Sequence, residues 1–174
     1  MTYLLLALKY VFDPDWDDCF AVKVKKSDFK STDFDDRQKC YQNKPYRNPY
    51  MCVGVGPEAS ANYTLRRGAK SHEHRGLECG KVTCPKGYEC HVGWKSYAGE
   101  AYPNCCNSEL KRIYYDAFNN KKCPGGADAD LVEERSFKQI FLPMVGHNCS
   151  DLICYPGAKC VQVHKHFAKC CKEG

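Results

Sequence analysis

The most regular pattern of hydrophobic residues lies between positions 108 and 118. Side chains recur there at the three- and four-residue intervals of one helix face: Leu110, Ile113, Tyr114, Ala117 and Phe118. Asn107 or Ser108 stands where a helix N-cap is expected, since either side chain can accept a hydrogen bond from the first turn. The pattern therefore predicts a helix over residues 108–118.

Two other segments predict β-hairpins. Residues 88–92 and 159–164 are strand-like, and each follows a turn whose glycine, Gly87 or Gly157, supplies a positive φ. After each strand the chain returns to a pair of adjacent cysteines, so we expect one hairpin in each region.

Two further segments are assigned from weaker patterns. Residues 20–25 alternate between hydrophobic and lysine side chains in their second half, which predicts a strand. Residues 128–142 have an ambiguous pattern, and we assign them one short helix capped near Asp130.

The cysteines repeat their spacing along the chain. Two sets share it: Cys79-x4-Cys84-x5-Cys90-x14-Cys105-Cys106, and Cys149-x4-Cys154-x5-Cys160-x9-Cys170-Cys171. Because neighbouring residues of a strand face opposite ways, each doublet can join its strand to two different partners. The matched spacing predicts two tandem copies of one cysteine-stapled unit.

Each set needs a sixth cysteine from further upstream. For the second set this is Cys123. For the first set Cys52 matches the spacing, whereas the residues before Cys40 resemble those before Cys123. We favour Cys40, which leaves Cys52 to pair with Cys19, although six cysteines allow 15 connectivities and spacing alone does not choose among them.

Composition explains why cross-links are expected. Leu, Ile, Val and Phe account for 32 of the 174 residues, under the roughly 20% below which an ordinary hydrophobic core becomes doubtful. The 14 cysteines place the chain at the edge of the disulfide scaffolds. We therefore expect a small disulfide-rich fold of two tandem cysteine-stapled repeats, with short β-hairpins and one or two short helices.

The cysteine count is even, so every cysteine can take part in a disulfide: Cys19, Cys40, Cys52, Cys79, Cys84, Cys90, Cys105, Cys106, Cys123, Cys149, Cys154, Cys160, Cys170 and Cys171. An intracellular zinc protein is the alternative, but structural zinc sites usually take two ligands from a Cys-x2-Cys turn, and the sequence contains none. Disulfides are favoured, and they require an oxidising compartment. We expect a secreted, extracellular protein.

Other features bear on secretion. The triplets at 62–64 and 148–150 are sequons, so Asn62 and Asn148 are candidate glycosylation sites. The apolar stretch at residues 4–8 lacks a basic flank and a cleavage motif, and we interpret it as a truncated signal or as a sign that the start lies upstream. No stretch is long enough to span a bilayer.

The segment Cys84-Pro85-Lys86-Gly87-Tyr88-Glu89-Cys90, followed by Cys105-Cys106, resembles the lustrin-type cysteine-rich repeat. The second copy departs from it at Tyr155, Pro156 and Ala158. The resemblance covers about two-thirds of the chain. It implies an extracellular, non-catalytic six-cysteine module, found in invertebrate matrix proteins and beside Kunitz-type inhibitor domains. Kunitz domains lack an adjacent doublet, so no Kunitz fold is expected.

These observations divide the chain into three predicted segments. Residues 1–39 form an N-terminal segment, residues 40–107 form the first repeat, and residues 108–174 hold the linker helix and the second repeat.

Charge indicates one candidate binding region. The chain carries a net charge of +5 and has a pI of about 8.5, and four basic residues cluster in one loop: Arg66, Arg67, Lys70 and Arg75. Outside the cell, such a loop could bind a sulfated polysaccharide or an acidic protein face, whereas an ordinary solvated loop is the alternative. Nucleic acid is not an expected partner in that compartment.

Two patterns suggest metals without completing a site. Alternating acids occur at Asp13, Asp15, Asp17 and Asp18, but they lack the turn glycine and distal glutamate of a calcium loop. Paired histidines occur at His72 and His74 and at His164 and His166, but the sequence indicates no third ligand. We predict no metal and no cofactor.

Catalytic signatures are also missing from the sequence, which contains neither Gly-x-Ser-x-Gly nor a phosphate-binding glycine loop. We predict a non-enzymatic structural or protein-interaction module. The alternative is a serine protease inhibitor that presents Lys86, Lys159 or Lys165 on a disulfide-held loop, whose rigidity limits the ordering cost of binding. The oligomeric state is left open.

Overall fold

The computed structural model describes residues 6–45, 52–54, 58–68, 79–95, 100–133 and 140–173. The chain forms two compact units. Unit 1 combines Met1–Pro45 with Tyr115–Gly174, and unit 2 is Tyr46–Tyr114. The described residues form short antiparallel strands and short helices joined by disulfides, which confirms the small disulfide-rich class.

The strands and α-helices are, in chain order, β1 (Leu6–Asp13), β2 (Asp18–Lys25), α1 (Arg37–Gln42), β3 (Ser60–Ala61), β4 (Thr64–Leu65), β5 (Val82–Thr83), β6 (Tyr88–Lys95), β7 (Glu100–Asn107), α2 (Ser108–Phe118), β8 (Leu131–Glu133), β9 (Phe141–Pro143), β10 (Val145–Gly146), β11 (Ala158–His164) and β12 (Phe167–Lys172). Short 3₁₀ helices cover Lys26–Asp28, Cys79–Lys81, Pro124–Gly126 and Cys149–Asp151. The sheets have the strand orders β1-β2, β3-β7-β6, β4-β5, β8-β9 and β10-β12-β11. The predicted strand at residues 20–25 and both predicted hairpins are therefore present.

The core of unit 1 is aromatic. Phe20 from β2, Phe118 from the end of α2 and Phe167 from β12 are buried, and the Phe20 and Phe118 rings pack edge to face with centroids 5.2 Å apart. Trp16, in the turn between β1 and β2, packs edge-on against Phe167 at 4.6 Å. These rings come from both the N-terminal and the C-terminal hairpin and pack against each other, so the two hairpins share one core. Each aromatic ring buries a large apolar area there.

Helix α2 confirms the helix predicted over residues 108–118. The side-chain oxygen of Asn107 accepts hydrogen bonds from the backbone N–H groups of Glu109 and Leu110, at 3.0 and 3.1 Å, so Asn107 is the cap. Ser108 instead donates its hydroxyl to the carbonyl of Gly87 at 2.9 Å. Tyr114 of the predicted apolar face is half-buried. The other four positions are buried: Leu110, Ile113, Ala117 and Phe118.

All 14 cysteines lie among the described residues, and none is free. The seven disulfides are Cys19–Cys40, Cys52–Cys106, Cys79–Cys90, Cys84–Cys105, Cys123–Cys171, Cys149–Cys160 and Cys154–Cys170. Each doublet joins its strand to two partners, as the alternation of strand side chains predicts.

The pairing corrects one prediction. Cys40 joins Cys19, and Cys52 joins Cys106, so Cys52 completes the first cysteine set and the preference for Cys40 was wrong. Cys40 is the buried residue of α1, and this helix contacts both strands of the N-terminal hairpin. Cys40 therefore belongs with that hairpin in unit 1, and the predicted boundary before it separates two bonded cysteines.

The two cysteine sets have the same connectivity. Their corresponding bridges are Cys79–Cys90 and Cys149–Cys160, Cys84–Cys105 and Cys154–Cys170, and Cys52–Cys106 and Cys123–Cys171. Strand register agrees as well, since the third cysteine of each set lies opposite the first of its doublet: Cys90 opposite Cys105, and Cys160 opposite Cys170.

Each hairpin also opens with the same turn. Gly87 and Gly157 have φ values of +88° and +85°, the left-handed conformation that glycine adopts without steric cost. Their carbonyl oxygens accept hydrogen bonds from the residue two places after each doublet, Ser108 at 3.0 Å and Glu173 at 2.8 Å. The turn is thereby tied to the end of the returning strand in both units.

The short helix predicted near Asp130 was wrong. Residues 131–133 form β8, and the backbone N–H of Asp130 donates to the carbonyl of Cys170 at 2.8 Å. Ala129 forms a bridge with Cys171, so this segment extends along the edge of the C-terminal hairpin. Residues 134–139 lie outside the described residues.

Candidate functional site

Strands β4 and β5 place two basic residues, Arg66 and Lys81, next to each other in unit 2, and Arg67 follows Arg66 in the chain. Leu65 lies opposite Val82 in this ladder, and the backbone N–H of Arg66 donates to the carbonyl of Lys81 at 2.9 Å. Arg66, Arg67 and Lys81 are all exposed. We call these three residues the basic face.

The guanidinium of Arg66 is partly fixed in place. Its Nε donates to the carbonyl oxygen of Val82 at 3.0 Å, which limits the freedom that a long side chain loses when it binds an anion. Several exposed cations in one place attract a polyanion at a range set by ionic strength. The basic face is therefore suited to a sulfate- or carboxylate-rich partner.

The structure describes only two of the four residues of the predicted basic cluster. Arg66 and Arg67 lie among the described residues, whereas Lys70 and Arg75 lie outside them. Lys81 was missed by the sequence analysis because only the β4–β5 pairing brings it beside Arg66. A local charge run cannot reveal such a neighbour.

The three lysines considered for protease inhibition lie in ordered hairpin structure. Lys86 occupies a tight turn in which the backbone N–H of Tyr88 donates to the carbonyl of Pro85 at 3.1 Å. Lys159 is a paired residue of β11, opposite Cys171, and Lys165 lies in the turn that joins β11 to β12. All three lysines are exposed.

The paired histidines of unit 1 lie close to each other. The rings of His164 and His166 have centroids 5.4 Å apart, and the rings of Trp16 and His166 are also 5.4 Å apart. Across the ranges that the structure describes, no group of three or more His, Cys, Asp or Glu side chains is placed to hold a metal. His72 and His74 lie outside those ranges.

A third histidine, His147, links distant parts of unit 1. Its Nε2 lies 2.7 Å from Oδ2 of Asp13, and its Nδ1 lies 3.2 Å from the carbonyl oxygen of His166. The tautomer of the ring decides which of these two contacts it donates. The ring also stacks on Phe20 with centroids 3.9 Å apart. The sequence analysis missed the contact between Asp13 and His147 because 134 residues separate them.

The acidic turn is held by internal ion pairs. Asp17 faces Nζ of Lys44 at 3.0 Å, and the buried Asp18 faces Nη2 of Arg37 at 2.5 Å. Both contacts neutralise carboxylates that the sequence pattern aligned for calcium. The turn thus anchors residues 37 and 44 to the N-terminal hairpin.

Lys169 is a buried titratable group among the described residues of unit 1. It is 1% exposed, and its Nζ donates to the carbonyl oxygens of Asp116, Asn120 and Lys122 at 3.2, 2.6 and 3.4 Å. Burial lowers the pKa of Lys169 from 10.5 to about 8, while the negative charge of Asp116 acts in the opposite direction. The amine therefore satisfies carbonyl oxygens at and beyond the end of α2, where no helical partner remains.

Both sequon asparagines are exposed. Asn62 lies in the two-residue connection between β3 and β4. Asn148 precedes the 3₁₀ helix Cys149–Asp151, and its backbone N–H donates to the Asp151 carboxylate at 2.8 Å. The two sites therefore differ in how far the structure constrains their backbone.

Among the described residues, no helix has both the length and the apolar character that crossing a membrane requires. Comparisons of the chain with protein-family models, with curated proteins and with solved structures find no match. The resemblance to the lustrin-type repeat accordingly stays a prediction that rests on the residues themselves.

Proposed function

We infer that this chain is an extracellular, non-enzymatic interaction protein that carries one cysteine-stapled module twice, each copy related to the lustrin-type repeat. One observation supports this proposal above the others. Three disulfides join corresponding cysteines in both sets and leave the same strand register around them.

Side chains outside the cysteine frame differ between the copies. Lys86 corresponds to Pro156 and Glu89 corresponds to Lys159, and all four are exposed. By contrast, Val82 and Leu152 are both apolar and buried at corresponding positions. A fixed frame with variable exposed chemistry is what we expect of a module whose surface carries the function.

Seven bridges support an extracellular location. Thiols stay reduced in the cytosol, so a protein that depends on many disulfides matures in an oxidising compartment. There, sulfated polysaccharides are abundant polyanions, and the basic face supplies the complementary charge. We propose them as the partner class.

Heparin binding tests this partner. Replacing Arg66, Arg67 and Lys81 together by alanine is expected to weaken heparin binding about tenfold at physiological salt, since each exposed charge contact contributes roughly 0.2–1 kcal/mol. The measurement is the salt concentration that elutes the protein from immobilised heparin, supported by titration calorimetry.

The matched control removes the same charge from unit 1. It replaces Lys159, Lys165 and Lys172, all exposed, by alanine and should elute close to the wild type. Equal losses in both variants would indicate a net-charge effect, and a wild-type protein that passes through the column unbound would reject the polysaccharide partner.

The protease inhibitor hypothesis receives less support from the geometry. A peptide that lies in a protease cleft is extended and adds a strand to its host. Lys86 and Lys165 lie in tight turns, and Lys159 is already paired within its hairpin. The interaction module is therefore the preferred function.

A further inference from the structure

We propose that Asn62 carries an N-linked glycan whose first sugar lies in a cleft beside it, formed by Ser60, Tyr63 and Asn104. This inference rests on the proposed extracellular function, because N-glycosylation takes place in the secretory pathway. It adds a modification site, a ligand class and a structural role for the attached sugar.

The backbone around Asn62 presents the side chain for modification. Ser60 and Ala61 of β3 pair with Cys106 and Cys105 of β7, and Thr64 of β4 pairs with Thr83. Asn62 itself is exposed between these two anchored strands. Short exposed connections between ordered strands leave a side chain accessible while they fix its position.

The neighbouring cleft has the size and chemistry of a sugar site. It has a volume of about 520 Å³, within the range of about 300–1,000 Å³ that is typical of small-ligand sites. It is lined by Ser60, Ala61, Asn62, Tyr63 and Asn104, residues that carry a hydroxyl, an aromatic ring and amide groups. An aromatic ring can cover the apolar face of a pyranose while hydroxyl and amide groups bond its rim.

The side chain of Asn104 has an unsatisfied hydrogen-bond donor that a ligand in the cleft could satisfy. Its amide nitrogen is buried and has no hydrogen-bond partner within the described part of the chain. A buried unsatisfied amide is costly. The terminal amide torsion of asparagine is broad, so the group can turn towards a sugar hydroxyl or acetamido oxygen that enters the cleft.

Asn148 is a poorer acceptor for structural reasons. The middle residue of its sequon, Cys149, is bonded to Cys160, and the 3₁₀ helix starts directly after Asn148. Modification there must precede closure of a bridge that spans only 11 residues. Asn62 has no cysteine in its sequon.

The modification is a group transfer with a defined donor. The amide nitrogen of Asn62 attacks the anomeric carbon of an oligosaccharide held on a polyisoprenoid pyrophosphate. A carbon–nitrogen bond forms, the carbon–oxygen bond to the pyrophosphate breaks, and the amide loses one proton as the lipid pyrophosphate departs. No oxidant or reductant is needed.

The test uses the full chain secreted from eukaryotic cells. Intact-mass measurement before and after trimming to a single N-acetylhexosamine should show the modification in the wild type and in Asn148→Gln, and its loss in Asn62→Gln. A secreted, oxidised protein with unmodified Asn62, or with Asn148 alone modified, would overturn the inference while the proposed function stands. The chain is expressed behind a heterologous signal peptide, and recovery of a secreted protein whose cysteines stay mostly reduced would contradict the proposed function itself.

The position of the sugar needs a second measurement. Asn104→Ala should lower the melting temperature of the trimmed glycoprotein by more than it lowers that of the Asn62→Gln protein. Hydrogen exchange of the amides at residues 60–63, which needs no cleft variant, should be slower with the sugar present. Equal temperature shifts together with unchanged exchange would show a glycan that does not occupy the cleft.

Discussion

Removing the Cys52–Cys106 bridge is expected to lower the free energy of unfolding of unit 2 by about 4 kcal/mol, whereas removing Cys79–Cys90 should cost about 3 kcal/mol. The difference arises because the first bridge closes a separation of 54 residues and the second a separation of 11, and a longer loop gains more entropy in the unfolded chain when it is released. Denaturant unfolding of the two double cysteine-to-alanine variants measures both values.

The same bridge can be tested without a stability measurement. In Cys52→Ala, the thiol left free should be that of Cys106, and alkylation followed by peptide mapping should label it alone. A label on Cys19 would restore the pairing that the sequence favoured and would reject the connectivity described here. Equal destabilisation by the two double variants would contradict the loop-entropy argument.

Lys169 is expected to make the stability of unit 1 rise with pH above neutrality. The pKa of Lys169 is about 8 in the folded protein and 10.5 for an ordinary lysine, as in the unfolded chain. Between these pH values the unfolded chain therefore binds more protons than the folded protein. Stability therefore increases from pH 8 to pH 10.5, by about 3 kcal/mol at 1.36 kcal/mol per pKa unit. Chemical unfolding across this pH range is the measurement.

Lys169→Met should abolish that rise, because methionine has a similar length and no titrating amine. The matched control is Lys159→Met, which removes an exposed lysine from the neighbouring strand and should keep the wild-type slope. A rise of equal size in Lys169→Met would assign the pH dependence to another group.

The sequence predicted the parts of the fold that depend on local pattern. Helix α2 and its buried face followed from spacing between residues 108 and 118, and the two hairpins followed from turn glycines and strand-like runs. The short β8 was missed because it forms next to residues paired with the edge of another strand. Local propensity does not depend on a distant partner strand, so it could not predict that pairing.

The candidate binding residues and the cysteines divide in the same way. Arg66 and Arg67 were visible as a charge cluster, but Lys81 joins them only through strand pairing. Cys40 was misassigned because similar residues precede Cys40 and Cys123, and such similarity does not determine which thiol lies within bonding distance. The spacing of the two cysteine sets favoured Cys52 instead, and the Cys52–Cys106 disulfide agrees with that spacing.

Unit 1 is assembled from two stretches of chain that flank unit 2 in the sequence, which imposes an order on folding during synthesis. Phe20 leaves the ribosome well before Met144 and Phe167, the later residues of the same unit. At translation rates of about 5–20 residues per second, roughly 5–30 s pass between synthesis of the N-terminal hairpin and synthesis of the residues it packs against. Molecular chaperones have that interval in which to shield it, while the continuous stretch 46–114 can already complete its own bridges.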